Sequence, residues 1–247
     1  GVACGRTRSN KYVLIAAGSA ITSEMRYADA ADADAEFTVV WPRRDGVEYS
    51  VEHAVVAEED RFLIMHNDGA ENFTLVEAPV ADPSATRTLI EHRSDVRLDA
   101  VDAFAQLLVV SYRSEALPRI QLWPLDGTGY GEVRDVTFDS ELMSVGLSAN
   151  PNWAAPRLRI GATSFVTPVR IYDLDLATGE RVLLREQPVL GDYRPEDYVE
   201  HRDWAIAEDG ARVPLSIIHR VGVTSPAPVL LYGYGAYESC EDPRFSI

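Results

Sequence analysis

Only two cysteines occur in 247 residues, Cys4 and Cys240, near opposite ends of the chain, so neither a disulfide framework nor a zinc ribbon can be drawn. Such sparing use of cysteine fits a reducing compartment, and the expected location is the cytoplasm. No apolar run approaches the roughly 20 residues of a membrane-crossing helix, so no membrane partner is expected. Basic residues are scarce as well: 23 Lys and Arg against 39 Asp and Glu leave a formal charge of −16. That field repels phosphate backbones and attracts cationic ligands, which excludes nucleic acid as an expected partner. No long stretch keeps apolar residues at the i, i+3, i+4, i+7 spacing of an amphipathic helix. The opening Gly1-Val2-Ala3-Cys4-Gly5 has neither an initiator methionine nor a basic leader.

What remains is a composition 46% apolar and 25% charged, that of a chain able to bury a core. Short β-branched and aromatic runs bounded by turn residues dominate. The strongest runs recur: Lys11–Ala17, Arg61–Asn67, Leu107–Arg113 and Arg157–Thr163 begin 50, 46 and 50 residues apart. Each is followed by a second strand, at Met25–Tyr27, Phe73–Val76, Arg119–Trp123 and Val169–Tyr172. A third follows, at Glu36–Trp41, Thr86–Ile90, Val133–Phe138 and Arg181–Leu184. The later copies are preceded by one more strand, at Tyr49–Val56, Asp99–Ala105 and Ser144–Asn150, while the first copy keeps only Val2-Ala3-Cys4 of it. Four strands per repeat at this period predict β-propeller blades, and three whole blades with a fourth lacking most of its first strand fall short of the roughly four to eight that close a ring. The fold class is therefore all-β, a partial propeller over residues 1–187. Two prolines and a glycine mark 188–198 as a linker. Beyond it, over 199–247, a different module begins with a hairpin, Trp204–Ala207 and Val213–Ile218, and a strand expected to be buried, Ala227–Tyr232.

Three chemical motifs are weak. Asn72-Phe73-Thr74 is a glycosylation sequon by pattern only. Asp173-x-Asp175 opens like a calcium loop, but Thr178 replaces the glycine and Leu184 the closing glutamate. The acidic run Ala28–Ala35 reads as a solvated loop tip. No metal or cofactor is expected. The five histidines, His53, His66, His92, His201 and His219, are scattered and are expected to be structural. No Gly-x-Ser-x-Gly elbow occurs. The segment Tyr232-Gly233-Tyr234-Gly235-Ala236-Tyr237 runs from the expected strand into a glycine-rich turn where backbone must approach something closely, and an oxyanion donor can sit in such a turn.

Extended to Ser246, that segment resembles the first strand-and-loop motif of the peptidase domain in the oligopeptidase B group of the prolyl oligopeptidase family of serine peptidases. Gly18-Ser19, Thr22–Tyr27, Gly46–Val51, His66–Asn72, Tyr172–Glu180 and Gln187–Gly191 resemble that group's propeller and linker, so the likeness covers essentially the whole chain. It implies an enzyme with a propeller of about seven blades over an α/β-hydrolase domain, gating entry, with a Ser-His-Asp triad expected outside these residues. The implied substrates are short peptides with Arg or Lys before the cleaved bond. By the same resemblance Tyr234 falls on the oxyanion tyrosine, Tyr237 on an aromatic of the substrate pocket and Asp242 on a carboxylate of the basic subsite. Arg244 stands where some members carry a second acid. The 247 residues alone are expected to be inactive, to need the rest of the parent chain and to self-associate. The rival from another class is a noncatalytic propeller scaffold for protein binding.

Overall fold

The computed structural model describes all 247 residues, and the chain divides into two compact units. The first comprises Gly1–Arg113, Ile120–Asp135 and Pro151–Ala155; the second comprises Ser114–Arg119, Val136–Asn150 and Pro156–Ile247.

Three antiparallel sheets build the first unit. One is β1 (Val2–Arg6), β2 (Tyr12–Gly18), β3 (Ser23–Asp29) and β4 (Thr38–Val39), hydrogen-bonded in that order. The next is β5 (Tyr49–Val56), β6 (Glu59–His66), β7 (Thr74–Pro79) and β8 (Arg87–Ile90). The third contains β9 (Val96–Phe104), β10 (Leu107–Ser114) and β11 (Leu117–Asp126), with β12 (Gly129–Tyr130) and β13 (Arg134–Asp135) both on β11; the tip of the β10–β11 hairpin belongs to the second unit. Each sheet is a blade in which neighbouring strands follow one another in sequence, so short hairpins suffice to connect them. The middle blade is the buried one. Phe62, Ile64, Val76 and Ala78 pack toward Met25 and Val40 of the first blade, whereas Leu63, Met65 and Leu75 pack with Leu98, Leu108 and Val110 of the third. Successive residues of a strand point to opposite faces, and here both faces meet another sheet, so β6 reads as a continuous apolar run.

The second unit holds the fourth blade, β14 (Ser144–Leu147), β15 (Arg157–Thr163), β16 (Arg170–Asp175) and β17 (Arg181–Glu186), then the hairpin β18 (Tyr198–Ile206) and β19 (Arg212–Arg220). Along β15 burial alternates, with Leu158, Ile160 and Ala162 buried between exposed Arg157 and Arg159. There is no α-helix; a single 3₁₀ turn, Pro195–Asp197, lies just before β18.

Four expectations change in detail. The first blade has a full inner strand, paired from Val2↔Ala17 to Arg6↔Val13, rather than a three-residue remnant. Its fourth strand shrinks to Thr38–Val39, because the backbone at Met25 and Trp41 turns to the Tyr49 hydroxyl, which accepts from Met25 N at 2.7 Å and donates to Trp41 O at 2.6 Å. The Val133–Phe138 strand reduces to β13 alone. Ala227–Tyr232 forms no strand: no neighbouring strand lies alongside to take its backbone groups, and Val229, Leu230 and Leu231 are 87%, 92% and 84% exposed.

Candidate functional site

In the second unit the loop carrying Asp242 is fixed by its own flanks. Glu200, on β18, gathers the Ser140 hydroxyl at 2.9 Å and the backbone N–H groups of Phe165 and Val166 at 3.1 and 3.3 Å. One carboxylate with three donors seats the β15–β16 turn on the hairpin. Tyr193 donates to the Val166 carbonyl, stacks on Tyr198 at 5.6 Å, and meets the Phe245 ring edge-on at 5.1 Å. Phe245 N in turn donates to Thr163 Oγ1 at 3.2 Å. A groove of about 560 Å³ lies among Val166, Pro188, Leu190, Tyr193 and Phe245. The outcome is that Pro243 and Phe245 are buried, Asp242 is half-buried, and Glu241 and Arg244 are exposed.

The two tyrosines of the predicted site are placed differently. Tyr234 is 51% and Tyr237 95% exposed, in a stretch without strand pairing. Tyr237 and Glu238 both adopt left-handed backbone, φ 55° and 56°, in a turn closed by Ser239 N on Ala236 O at 3.1 Å. The residues present thus pin the acidic end of the loop and leave the aromatic end on the surface. Of the weak motifs, Asn72 spends both amide hydrogens on the carbonyls of Arg93 and Ser94 at 3.0 and 3.1 Å. Asp173 is taken by Arg159 through two bonds, at 2.8 and 3.0 Å.

Two polar groupings in the first unit were not anticipated. Ser9 Oγ lies 2.8 Å from His53 Nδ1, and His53 Nε2 lies 3.1 Å from Asp60, which Lys11 also holds at 2.6 Å. These are the residue types of a nucleophilic triad, but the geometry is that of a clasp between the β1–β2 turn and the second blade. Burial pushes the His53 pKa down, so the neutral ring donates from Nε2 to Asp60 and accepts the Ser9 hydroxyl at Nδ1. Its side chain is fully enclosed, and the Lys11 N–H near Ser9 is directed at the serine oxygen itself, at 3.3 Å, rather than toward a place for a substrate oxyanion. Burial raises the Asp60 carboxyl and Lys11 and His53 outweigh it, leaving the pKa below its ordinary value.

The other grouping surrounds a cavity of about 340 Å³ lined by Arg6, Thr7, Arg8, Asn10, Glu52 and Pro151. Arg8 reaches from the first blade to Asp102 of the third at 2.5 Å and lies over the Phe104 ring at 4.5 Å. Glu52, on the intervening blade, is pushed up to about 7, first by burial and then by Asp102, with Arg8 opposing.

Repeated four-stranded antiparallel sheets, each with its strands in sequence order, are the blades of a β-propeller domain. Residues 1–187 match the family described as "Prolyl oligopeptidase, N-terminal beta-propeller domain", and the chain belongs to the prolyl oligopeptidase family. It is 38% identical over 249 residues to dipeptidyl aminopeptidase BI of Pseudoxanthomonas mexicana, covering 98% of this chain and 33% of that protein. It is 31% identical to Protease 2 of Moraxella lacunata, covering 97% and 34%. Oligopeptidase B from Trypanosoma brucei with covalently bound antipain superposes with a TM-score of 0.91 at 30% identity, over all of this chain and 36% of that one. The chain therefore spans about a third of the length of these relatives.

Proposed function

We propose that this chain is part of a serine oligopeptidase that cleaves short peptides after Arg or Lys, with the blades restricting which substrates enter. The observation that carries this reading is Asp242, a half-buried carboxylate next to two buried anchors, Pro243 and Phe245, in a chain of formal charge −16. A carboxylate so held can form a bidentate, charge-assisted bond with a guanidinium without first losing much side-chain freedom. Likeness to oligopeptidase B over the whole chain supports it. In such an enzyme the serine hydroxyl attacks the scissile carbonyl carbon while histidine takes the hydroxyl proton and then returns it to the leaving amine. Tyr234 would donate to the oxyanion, Tyr237 would wall the substrate pocket, and the triad would come from elsewhere in the parent chain. Two exposed free cysteines suit a reducing cytoplasm.

In the intact protein, Asp242→Ala is expected to lower kcat/KM for Arg-containing peptides by about 2–5 kcal/mol if the pair is desolvated, and by much less at a wet rim. Arg244→Asp should raise the preference for dibasic over monobasic substrates, more so at low salt, since it removes a like charge near the substrate cation. An unchanged dibasic-to-monobasic ratio in both variants would remove this loop from the subsite. The 247 residues alone should neither hydrolyse an arginyl amide nor react with a fluorophosphonate; stoichiometric labelling would defeat that expectation. A second reading, removal of dipeptides from an N-terminus, draws on the 38% identity to a dipeptidyl aminopeptidase. It predicts that blocking the substrate's amino group abolishes turnover, whereas the first reading predicts that it does not.

A further inference from the structure

The β18–β19 hairpin carries two histidines that neither the fold nor the proposed peptidase chemistry uses. Val199 pairs with His219 and His201 with Ile217, so the two imidazoles are diagonal neighbours on one face, with ring centres 6.0 Å apart and planes at 75°. His201 is exposed and His219 half-buried. His219 Nδ1 lies 2.9 Å from the Arg220 carbonyl oxygen. A carbonyl can only accept, so Nδ1 carries the proton, and in the neutral ring Nε2 keeps its lone pair. This is how a backbone carbonyl orients a metal-binding histidine.

We propose that His201 and His219 form a two-imidazole seat for a divalent transition-metal ion of the zinc, copper or nickel class, with water filling the remaining positions. Two imidazoles at about 2.0–2.1 Å from a tetrahedral ion have ring centres about 5 Å apart, close to the 6.0 Å separation of these two rings. Neutral nitrogen donors favour these ions over magnesium or calcium, which demand oxygen. Electrostatics of the face agree. Residues paired across the hairpin share a face, so that face bears Asp203 and Leu215 next to the histidine pairs, and the two strands contribute one carboxylate and no cation to it. Arg202 and Arg220 alternate onto the opposite face, where Arg220 covers the Tyr198 ring. No third His, Cys, Asp or Glu closes the site, so the ion would be exchangeable and would cross-link the two strands rather than be essential to them.

The test is a calorimetric titration of Zn²⁺ into the protein with Cys4→Ser and Cys240→Ser, which removes the two exposed thiols as competing ligands. One ion per chain should bind, magnesium should not, and the melting temperature should rise with Zn²⁺ concentration. His201→Ala and His219→Ala should each weaken binding by about tenfold or more, and acid should abolish it because a protonated ring cannot ligate. In the protein with both histidines in place, proton NMR should show Zn²⁺ shifting the imidazole signals of His201 and His219 and not those of His53 and His66. That measurement stands even where a variant folds poorly. Absence of saturable Zn²⁺ binding, binding that survives loss of both histidines, or shifts confined to other imidazoles would overturn the proposal.

Discussion

Glu52 has one carboxyl oxygen with neither solvent nor a hydrogen-bond partner, and Asp102 nearby repels its charge, so its pKa is about 7 against an ordinary value of 4.5. The folded state therefore binds this proton more tightly than the unfolded chain does. Stability from this group is complete below the ordinary value, falls as pH rises from there through 7, and is level above. Arg8, which faces the same cavity, softens the penalty without removing it. Glu52→Gln should thus leave stability unchanged near pH 4 and raise it by up to about 3 kcal/mol near pH 8, as read from urea midpoints. A pH-independent difference between the two proteins would contradict this. The Ser9–His53–Asp60 clasp was not legible as a unit, since 44 and 7 residues separate its members. A partial signal existed, because His53 shares strand parity with buried Tyr49 and Val51, and a polar side chain at a buried parity needs partners. Replacing His53 by Leu should cost about 1–3 kcal/mol, through loss of its two hydrogen bonds, although Asp60 keeps Lys11 and Ser9 keeps Thr7 as partners.

Strand placement was the most legible feature: Tyr49–Val56 and Arg157–Thr163 are found with their expected limits because apolar side chains recur along each short run, which turn or polar residues end. Hairpin turns were less so. Ala57-Glu58 and Glu115-Ala116 connect their strands with two residues each, all four at positive φ between 50° and 66°, without the Asn or Gly such turns usually carry. Cβ crowding makes left-handed backbone costly for these residues, and strand pairing on either side compensates: β5 and β6 match residue for residue up to Val56↔Glu59. Ala57→Asn with Glu58→Gly should therefore stabilise the protein by about 1 kcal/mol, with no change in the far-ultraviolet spectrum. A loss of stability would mean that the Ala57 or Glu58 side chain makes a contact worth more than the strain. Tyr49→Phe tests the opposite device. It strands Met25 N and Trp41 O, and should cost about 2 kcal/mol while loosening the short β4.

At the scale of the whole molecule, the repeat and the acidic charge could be read directly, whereas the expected buried strand at Ala227–Tyr232 could not be realised. Its apolar sequence specifies burial, but burial needs a sheet on both sides, and such partners are remote in sequence from any strand they cover. The consequence is an apolar surface without a cover: Val229, Leu230, Leu231 and Tyr232 are 73–92% exposed in succession, and Val2, on a first strand exposed throughout its length, is 77% exposed. Each fully buried side chain of this kind is worth about 1.5–3 kcal/mol, and an unpaired extended backbone also offers N–H and C=O groups to another strand. Charge works against association, since two copies at −16 repel, but that repulsion is screened within about 8 Å at physiological salt while contact burial is not. The chain alone should therefore self-associate, more strongly as salt is added. Leu230→Glu with Leu231→Lys should move it toward monomer without altering blade stability. Sedimentation velocity decides the matter, and a single monomeric species across a wide range of concentration and salt would show that this segment folds back or stays solvated instead.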